Sequence, residues 1–285
     1  RTWLYYTMLR CYQLTEKLAW NDVWIMGYGV DEYGEKMSKS KGNVIDPFPI
    51  ISKHGADTFR FWSAIEANHG QDFRCSEQKI GEAQKFLTKL WNIGRFVSSF
   101  EFIPSYEFDL LSSDKWILGE LSNLVAECIK GYKEYNFFIP ASQIREFTWN
   151  IFASHYLELV KSRAYNDQVP NNRYSALYAL HKCFSVILLL LAPICPFITD
   201  KLWTTIYSKE NIHLQKFPMK SNDYGEMCKF TKAIVDFNSL IWTTKRESTN
   251  ENGKRYSLRD PIKAEIPDEL FQFKDDLKEM HNIQG

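Results

Sequence analysis

The sequence predicts a mainly α-helical protein with a small α/β part at each end, and three observations carry that reading. From Cys75 to Tyr207 apolar residues recur near the 3.6-residue helical period in five successive segments. Short β-type runs fall only outside that stretch, chiefly in "NDVWIMGYGV" (Asn21–Val30) and "PIKAEIP" (Pro261–Pro267). A hydrophobic share of 45%, with 15% aromatics, is enough to fill a large core in 285 residues.

Each element follows from a local signal. Thr2 to Leu14 reads as a helix, and Asn21 to Val30 as a strand ending in glycine turn chemistry. Pro47 and Pro49 open a short helix, Gly55 breaks it, and Asp57 stands where the next helix needs an N-cap. Ser76 caps a helix whose apolar face is Ile80, Ala83, Phe86, Leu87, Leu90, Ile93 and Val97. The second bundle helix spans about Ser113 to Tyr135, through Ile117, Leu121, Leu124, Cys128 and Tyr132. Pro140 suits the first turn of a third, through Ile144, Phe147, Ile151, Tyr156 and Leu159. The fourth, Arg173 to Leu191, is apolar nearly all round and belongs at the centre. A fifth runs from Pro196 to Tyr207, and five helices with short connections make a bundle. Beyond them come a charged helix (about Asp223–Lys245), a basic polar turn, the strand-like "PIKAEIP" and a last helix.

Composition narrows the partners. Thirty-five basic and 35 acidic residues cancel, so a polyanion must be met by local basic patches. Six scattered cysteines without a C-x-x-C pair argue against zinc and against a disulfide framework, and suit a reducing, cytoplasmic setting. The longest apolar run, Val186 to Ile198, is interrupted by Pro193 and Pro196 and falls short of the ~20 residues that span a bilayer. The opening "RTWLYYTMLR" has no preceding strand and no initiator methionine, so it reads as the middle of a domain of an excised C-terminal piece.

The chemistry concentrates in "DEYGEKMSKSKGNVIDP", Asp31 to Pro47. Lys36, Lys39 and Lys41 surround Ser38 and Ser40, between Gly34 and Gly42. Lysines on a glycine-flanked loop can close over a phosphate chain, with hydroxyls and amides as further donors. Such a loop would stabilise charge on a departing pyrophosphate. A solvated surface loop accounts for the same charges.

"KMSKS" at Lys36–Ser40 resembles the signature loop of class I aminoacyl-tRNA synthetases. "SKGNVIDP" and "HGADTFRFW" follow in the order seen in the branched-aliphatic group. "KFLTKLWNIGRFV", "HYLELVKSRAY" and "LLLAPICPFITDKLW" are similar to that group's helical anticodon-binding domain. Within the group "RTWLYYTMLR", "GNVIDPFPII" and "LRDPIKAEIPDEL" are most similar to the archaeal valine-specific type, with the isoleucine type as near neighbour. The resemblance implies the end of a Rossmann-type catalytic domain at 1–33, the loop and a stem-contact segment at 34–74, an anticodon-binding bundle at 75–220 and a C-terminal extension at 221–285.

It also implies roles. Lys36 and Lys39 are the catalytic candidates; with Met37, Ser38 and Ser40 they form the ATP site, Met37 packing inward to anchor the loop. ATP with Mg²⁺, valine and tRNA(Val) are the implied substrates and partners, with no resident zinc, no DNA and no membrane. The family's histidine pair around a glycine is missing from these residues, so the piece is expected to be inactive alone. Trp91, Asn92 and Arg95, within one turn of helix, suit splayed anticodon bases, although Trp91 also fits a core position. Lys161 and Arg163 are further RNA candidates, although their place at a helix end, where cations offset the macrodipole, is reason enough for them and the favoured one. Asp57 and Arg60 read as an N-cap and surface ion pair rather than a brace. Lys245, Arg246, Lys254, Arg255 and Arg259 form a basic turn that suits either phosphate or solvent. The alternative to a synthetase part is a free-standing helical RNA-binding module without catalysis.

Overall fold

A computed structural model describes residues 2–105, 107–221, 223–249 and 256–284. Helix α1 (Thr2–Thr15) forms as predicted but buries none of its residues, leaving Trp3, Tyr5, Tyr6 and Tyr12 exposed. The β-type run after it pairs only at its end. Strand β1 (Gly29–Val30) lies parallel to β2 (Phe73–Arg74), in the register Gly29 to Phe73. Met26 adds a single bridge to His69. The predicted ten-residue strand is shortened at its N-terminal end, because the run opposite it gives way to the turn at Gly70, φ 66°, and the Tyr28 amide is taken by the Asp72 side chain instead of a backbone carbonyl.

Helix α2 (Pro47–His54) is capped by Asp46, whose carboxylate accepts the Phe48 amide, and stops at Gly55 with φ 87°. Helix α3 (Ala56–Glu66) starts directly at Gly55, so the N-cap expected of Asp57 is a correction. The Asp57 side chain is buried and accepts the Ile198 amide at 2.6 Å. Arg60 is not its surface partner either; Nε donates to the Ile194 carbonyl at 2.7 Å and Nη2 to that of Pro193 at 3.1 Å.

The bundle follows. Helix α4 (Glu77–Val97) is capped by Ser76, whose hydroxyl accepts the Lys79 amide. Helices α5 (Ser112–Lys133) and α6 (Phe138–Glu146) come next, and α6 continues through a π-helical stretch, Phe147–Tyr156, into α7 (Leu157–Tyr165). Helix α8 (Pro170–Leu191) runs through the middle, and α9 (Pro196–Ile206) turns back after the proline pair. By length and composition α8 could cross a membrane, but 72% of its apolar window is buried inside the bundle. Phe61 of α3 stacks on Phe86 of α4 at 4.5 Å, which joins α3 to the bundle core.

The C-terminal part packs on the same core. Helix α10 (Thr231–Glu247) follows a short 3₁₀ turn, and α11 (Lys274–His281) closes the described chain. Of the strand-like "PIKAEIP", Ile262 alone pairs, through a parallel bridge to Ile283. Lys245, expected in the basic turn, is buried instead; its ammonium donates to the carbonyls of Leu258 at 2.8 Å and His281 at 2.7 Å. Lys254 and Arg255 of that turn lie outside the described residues.

Candidate phosphate loop and nucleic-acid interface

The lysine loop is a closed frame held from beneath. Asp31 Oδ1 accepts the amides of Tyr33 at 3.0 Å and Glu35 at 2.9 Å, and Oδ2 accepts the Asn43 carboxamide at 2.9 Å. Asn43 Oδ1 in turn accepts the Ser38 amide at 2.9 Å. The Asn43 bond, first among its contacts, holds the Asp31 carboxyl below the usual carboxylate range. Gly42 then turns the chain with φ 70°, a backbone state that costs glycine little.

Within the frame the three lysines differ. The Lys36 ammonium sits 3.9 Å above the Tyr28 ring. Lys41 is 3.0 Å from Glu35. Lys39, exposed in the 3₁₀ turn Lys39–Lys41, is left without a partner among the described residues. Ser38 Oγ accepts the Lys41 amide at 3.3 Å and lies 3.2 Å from the exposed Ser40 hydroxyl. Met37 packs against the core, and its Cε fills the space a Cβ on Gly29 would need, at 2.7 Å. Gly29 is therefore small for a reason: it is Met37's seat.

The loop is linked to the bundle through packed rings. Gly29 lies against Phe73, Phe73 against Trp62 at 6.2 Å, and Trp62 is buried among the residues of α3 and α4. Asp57 and Arg60 fasten α3 to the turn between α8 and α9. The Asp57 carboxyl is pushed up by burial and pulled down by the Ile198 and Phe197 amides, with the burial effect the larger.

Of the RNA candidates, Trp91, Asn92 and Arg95 form one exposed face of α4, with Trp91 40% exposed. Lys161 is exposed beside Glu158 at 3.3 Å, and its ammonium is 6.0 Å from the Phe96 ring of α4. Arg163 is a correction. Its guanidinium is held between Asp114 (3.0 Å) and Asp276 (2.7 Å) and also donates to the Asn172 carbonyl at 2.8 Å. These bonds use all the guanidinium donors, so none remains for a phosphate. Asp114 also accepts from Tyr156 at 2.6 Å and from Ser175, which completes a buried polar knot.

Residues 1–76 match the family described as "tRNA synthetases class I (I, L, M and V)", and residues 114–258 match "Anticodon-binding domain of tRNA ligase". The second match alone spans half of the chain. The chain belongs to the class I tRNA synthetases. It is 39% identical to the valine--tRNA ligase of Nanoarchaeum equitans over 284 residues, covering 100% of this chain and 36% of that protein. Identity to the valine--tRNA ligase of Aeropyrum pernix is 40% over 291 residues, covering 99% and 34%. This synthetase chain thus spans about a third of the length of the curated relatives it matches. Its fold is similar to a LeuRS from Agrobacterium radiobacter K84, solved in a ternary complex with tRNA and LeuAMS, with TM-score 0.60 and 18% identity over 78% of this chain and 27% of that one.

Sequence reasoning missed the Asp31–Asn43 bolt and the parking of Lys36 and Lys41 on Tyr28 and Glu35. A carboxylate and a carboxamide flanking the lysine cluster were the available signal, since such side chains close turns by bonding backbone amides.

Proposed function

We propose that this chain is the phosphate-clamp and tRNA-binding portion of a valine–tRNA ligase. The whole enzyme would join valine to ATP with release of pyrophosphate and pass the aminoacyl group to tRNA(Val). The observation that carries the reading is Lys39: an exposed cation without a protein partner, on a loop whose remaining polar groups are engaged with one another. A preorganised donor of this kind favours the charge that builds on the departing pyrophosphate. Lys36 and Lys41 can trade Tyr28 and Glu35 for phosphate oxygens, and the Ser40 hydroxyl adds a donor beside Lys39. Among the described residues no group of three His, Cys, Asp or Glu could hold a metal ion. Mg²⁺ would accordingly enter with the nucleotide, held by phosphate oxygens.

The second half of the function rests on α4. Asn92 and Arg95 present a carboxamide and a guanidinium to solvent one turn apart, with Lys161 of α7 nearby. In a reducing cytoplasm, where translation proceeds, six free thiols persist.

The test is a pair of assays on the 285-residue chain. A tRNA(Val) transcript should bind with a salt-dependent affinity, because phosphate contacts release counterions. Valine-dependent ATP–pyrophosphate exchange should be absent. Exchange activity, or no binding to the transcript at low salt, would contradict the proposal.

A further inference from the structure

A surface cleft lies against α4. It has a volume of about 640 Å³ and runs between the α2–α3 turn at Gly55, the exposed side of α4 and the first turn of α9. Trp91 walls it from α4 and Phe197 from α9, and Phe197 is 67% exposed. Lys201, one turn after Phe197, lines the same cleft; it is exposed and has no partner among the described residues. Arg95 follows Trp91 by one turn, so a cation stands next to each ring.

We propose that this cleft seats an unstacked base of the bound tRNA between Trp91 and Phe197, with Lys201 and Arg95 on the flanking phosphates. The inference rests on the tRNA-binding reading above and adds Phe197 and Lys201 to it. Three features favour a nucleobase. The cleft is lined mostly by apolar and ring atoms, its one carboxylate, Asp57, is engaged by the Ile198 amide, and Lys201 and the neighbouring Arg95 have no acidic partner among the described residues, the pattern that suits a flat ring carried on a polyanion. Trp91, which walls the cleft, is followed on α4 by the exposed Asn92 and, one turn on, by the exposed Arg95, so a strand following α4 meets it. It also touches His54, the last residue of α2, the helix that follows the lysine loop along the chain.

The backbone that carries Phe197 is anchored. Phe197 sits in the first turn of α9, where the Ile198 amide is bonded to Asp57 at 2.6 Å, so α3 fixes the wall that α9 presents. His54 closes the other end, its Nδ1 2.8 Å from Gln84 Oε1 of α4.

The experiment compares tRNA(Val) transcript binding to the 285-residue chain and to five variants by fluorescence anisotropy, with thermal melts as the folding control. Phe197→Ala and Trp91→Ala should each weaken binding roughly 5- to 100-fold, the range for loss of one stacked base. Trp91→Phe should restore most of the Trp91→Ala loss, since a ring rather than an indole N–H is required. Lys201→Gln should lower the slope of log K against log salt by about one contact. If the aromatic variants bind like the parent chain while Asn92→Ala/Arg95→Ala loses affinity, the cleft is overturned and the wider reading stands. If the parent chain binds no tRNA, that wider reading fails and takes the cleft with it. Phe197-dependent self-association in sedimentation, without an effect on RNA, would overturn the cleft in favour of a protein partner.

Discussion

The Asp57 carboxylate of α3 accepts the Ile198 amide of α9 at 2.6 Å, across 141 residues of sequence. An acidic side chain thus caps a helix to which it does not belong, and the segment after the lysine loop is bolted to the anticodon-type bundle. Arg60 repeats the connection one turn later, on the carbonyls of Pro193 and Ile194.

Asp57→Ala is expected to lower stability by about 1–3 kcal/mol, because it leaves the Ile198 amide buried and unbonded. Asp57→Asn keeps an acceptor and should cost less than half as much. Denaturant melts of the two variants check the order; equal losses would mean that charge, and not the hydrogen bond, carries the contact.

Arg163 predicts a separation of folding from binding. Arg163→Ala strands Asp114 and Asp276 in the interior and should cost about 3–5 kcal/mol, the range for breaking a buried ion pair. Arg163→Lys should cost nearly as much, since a single ammonium cannot replace a guanidinium bonded on all sides. At a temperature where Arg163→Lys is folded, its tRNA affinity should equal that of the parent chain, whereas Lys161→Ala should weaken binding by a few-fold. Anisotropy at matched folded fraction decides it.

Stability should fall on mild acidification through a buried histidine pair. Asn238 of α10 donates to His155 Nδ1 at 3.1 Å and accepts from His281 Nε2 at 2.8 Å, so the His155 ring is neutral and the Nε2 of His281 carries a proton. Burial holds His155 below the usual histidine range; burial, then Lys245 and His155, lower His281 to about 4. A histidine depressed in the folded state contributes nothing to the slope above ~6.5, and the unfolded chain gains protons first as pH drops from there toward 4. The expected loss from His281 by pH 4 is about 3 kcal/mol. His281→Gln should flatten the Tm-versus-pH curve between pH 6.5 and 4.

Asn43→Ala should loosen the lysine loop without unfolding the protein. It removes the acceptor of the Ser38 amide and the donor to Asp31. Hydrogen exchange at residues 36–42 should speed up at least ten-fold while exchange in α8 stays unchanged. Gly29→Ala, which takes the space of the Met37 methyl, should have a similar local effect.

Much of this was readable from periodicity and caps. The five bundle helices and the Ser76 cap lie where apolar spacing puts them, because each helix buries one face against α8. The π-helical stretch was not readable, since its wider turns leave Phe147, Ile151 and Tyr156 in a pattern that 3.6-residue spacing also fits. Arg163 was misassigned for a related reason. A cation near a helix end looks the same in sequence whether it meets solvent or two carboxylates brought from 49 and 113 residues away. Asp57 failed likewise, its partner being a distant helix instead of its own. In the loop, sequence identified the lysines, but which of them stays free depends on Tyr28 and Glu35, and that required coordinates.

The most direct measurement titrates the chain with two transcripts of identical body, one carrying a valine anticodon and one an isoleucine anticodon. The account predicts tighter binding to the valine form, by ten-fold or more at physiological salt, and loss of that preference in Asn92→Ala/Arg95→Ala. Equal affinity for the two transcripts would contradict it.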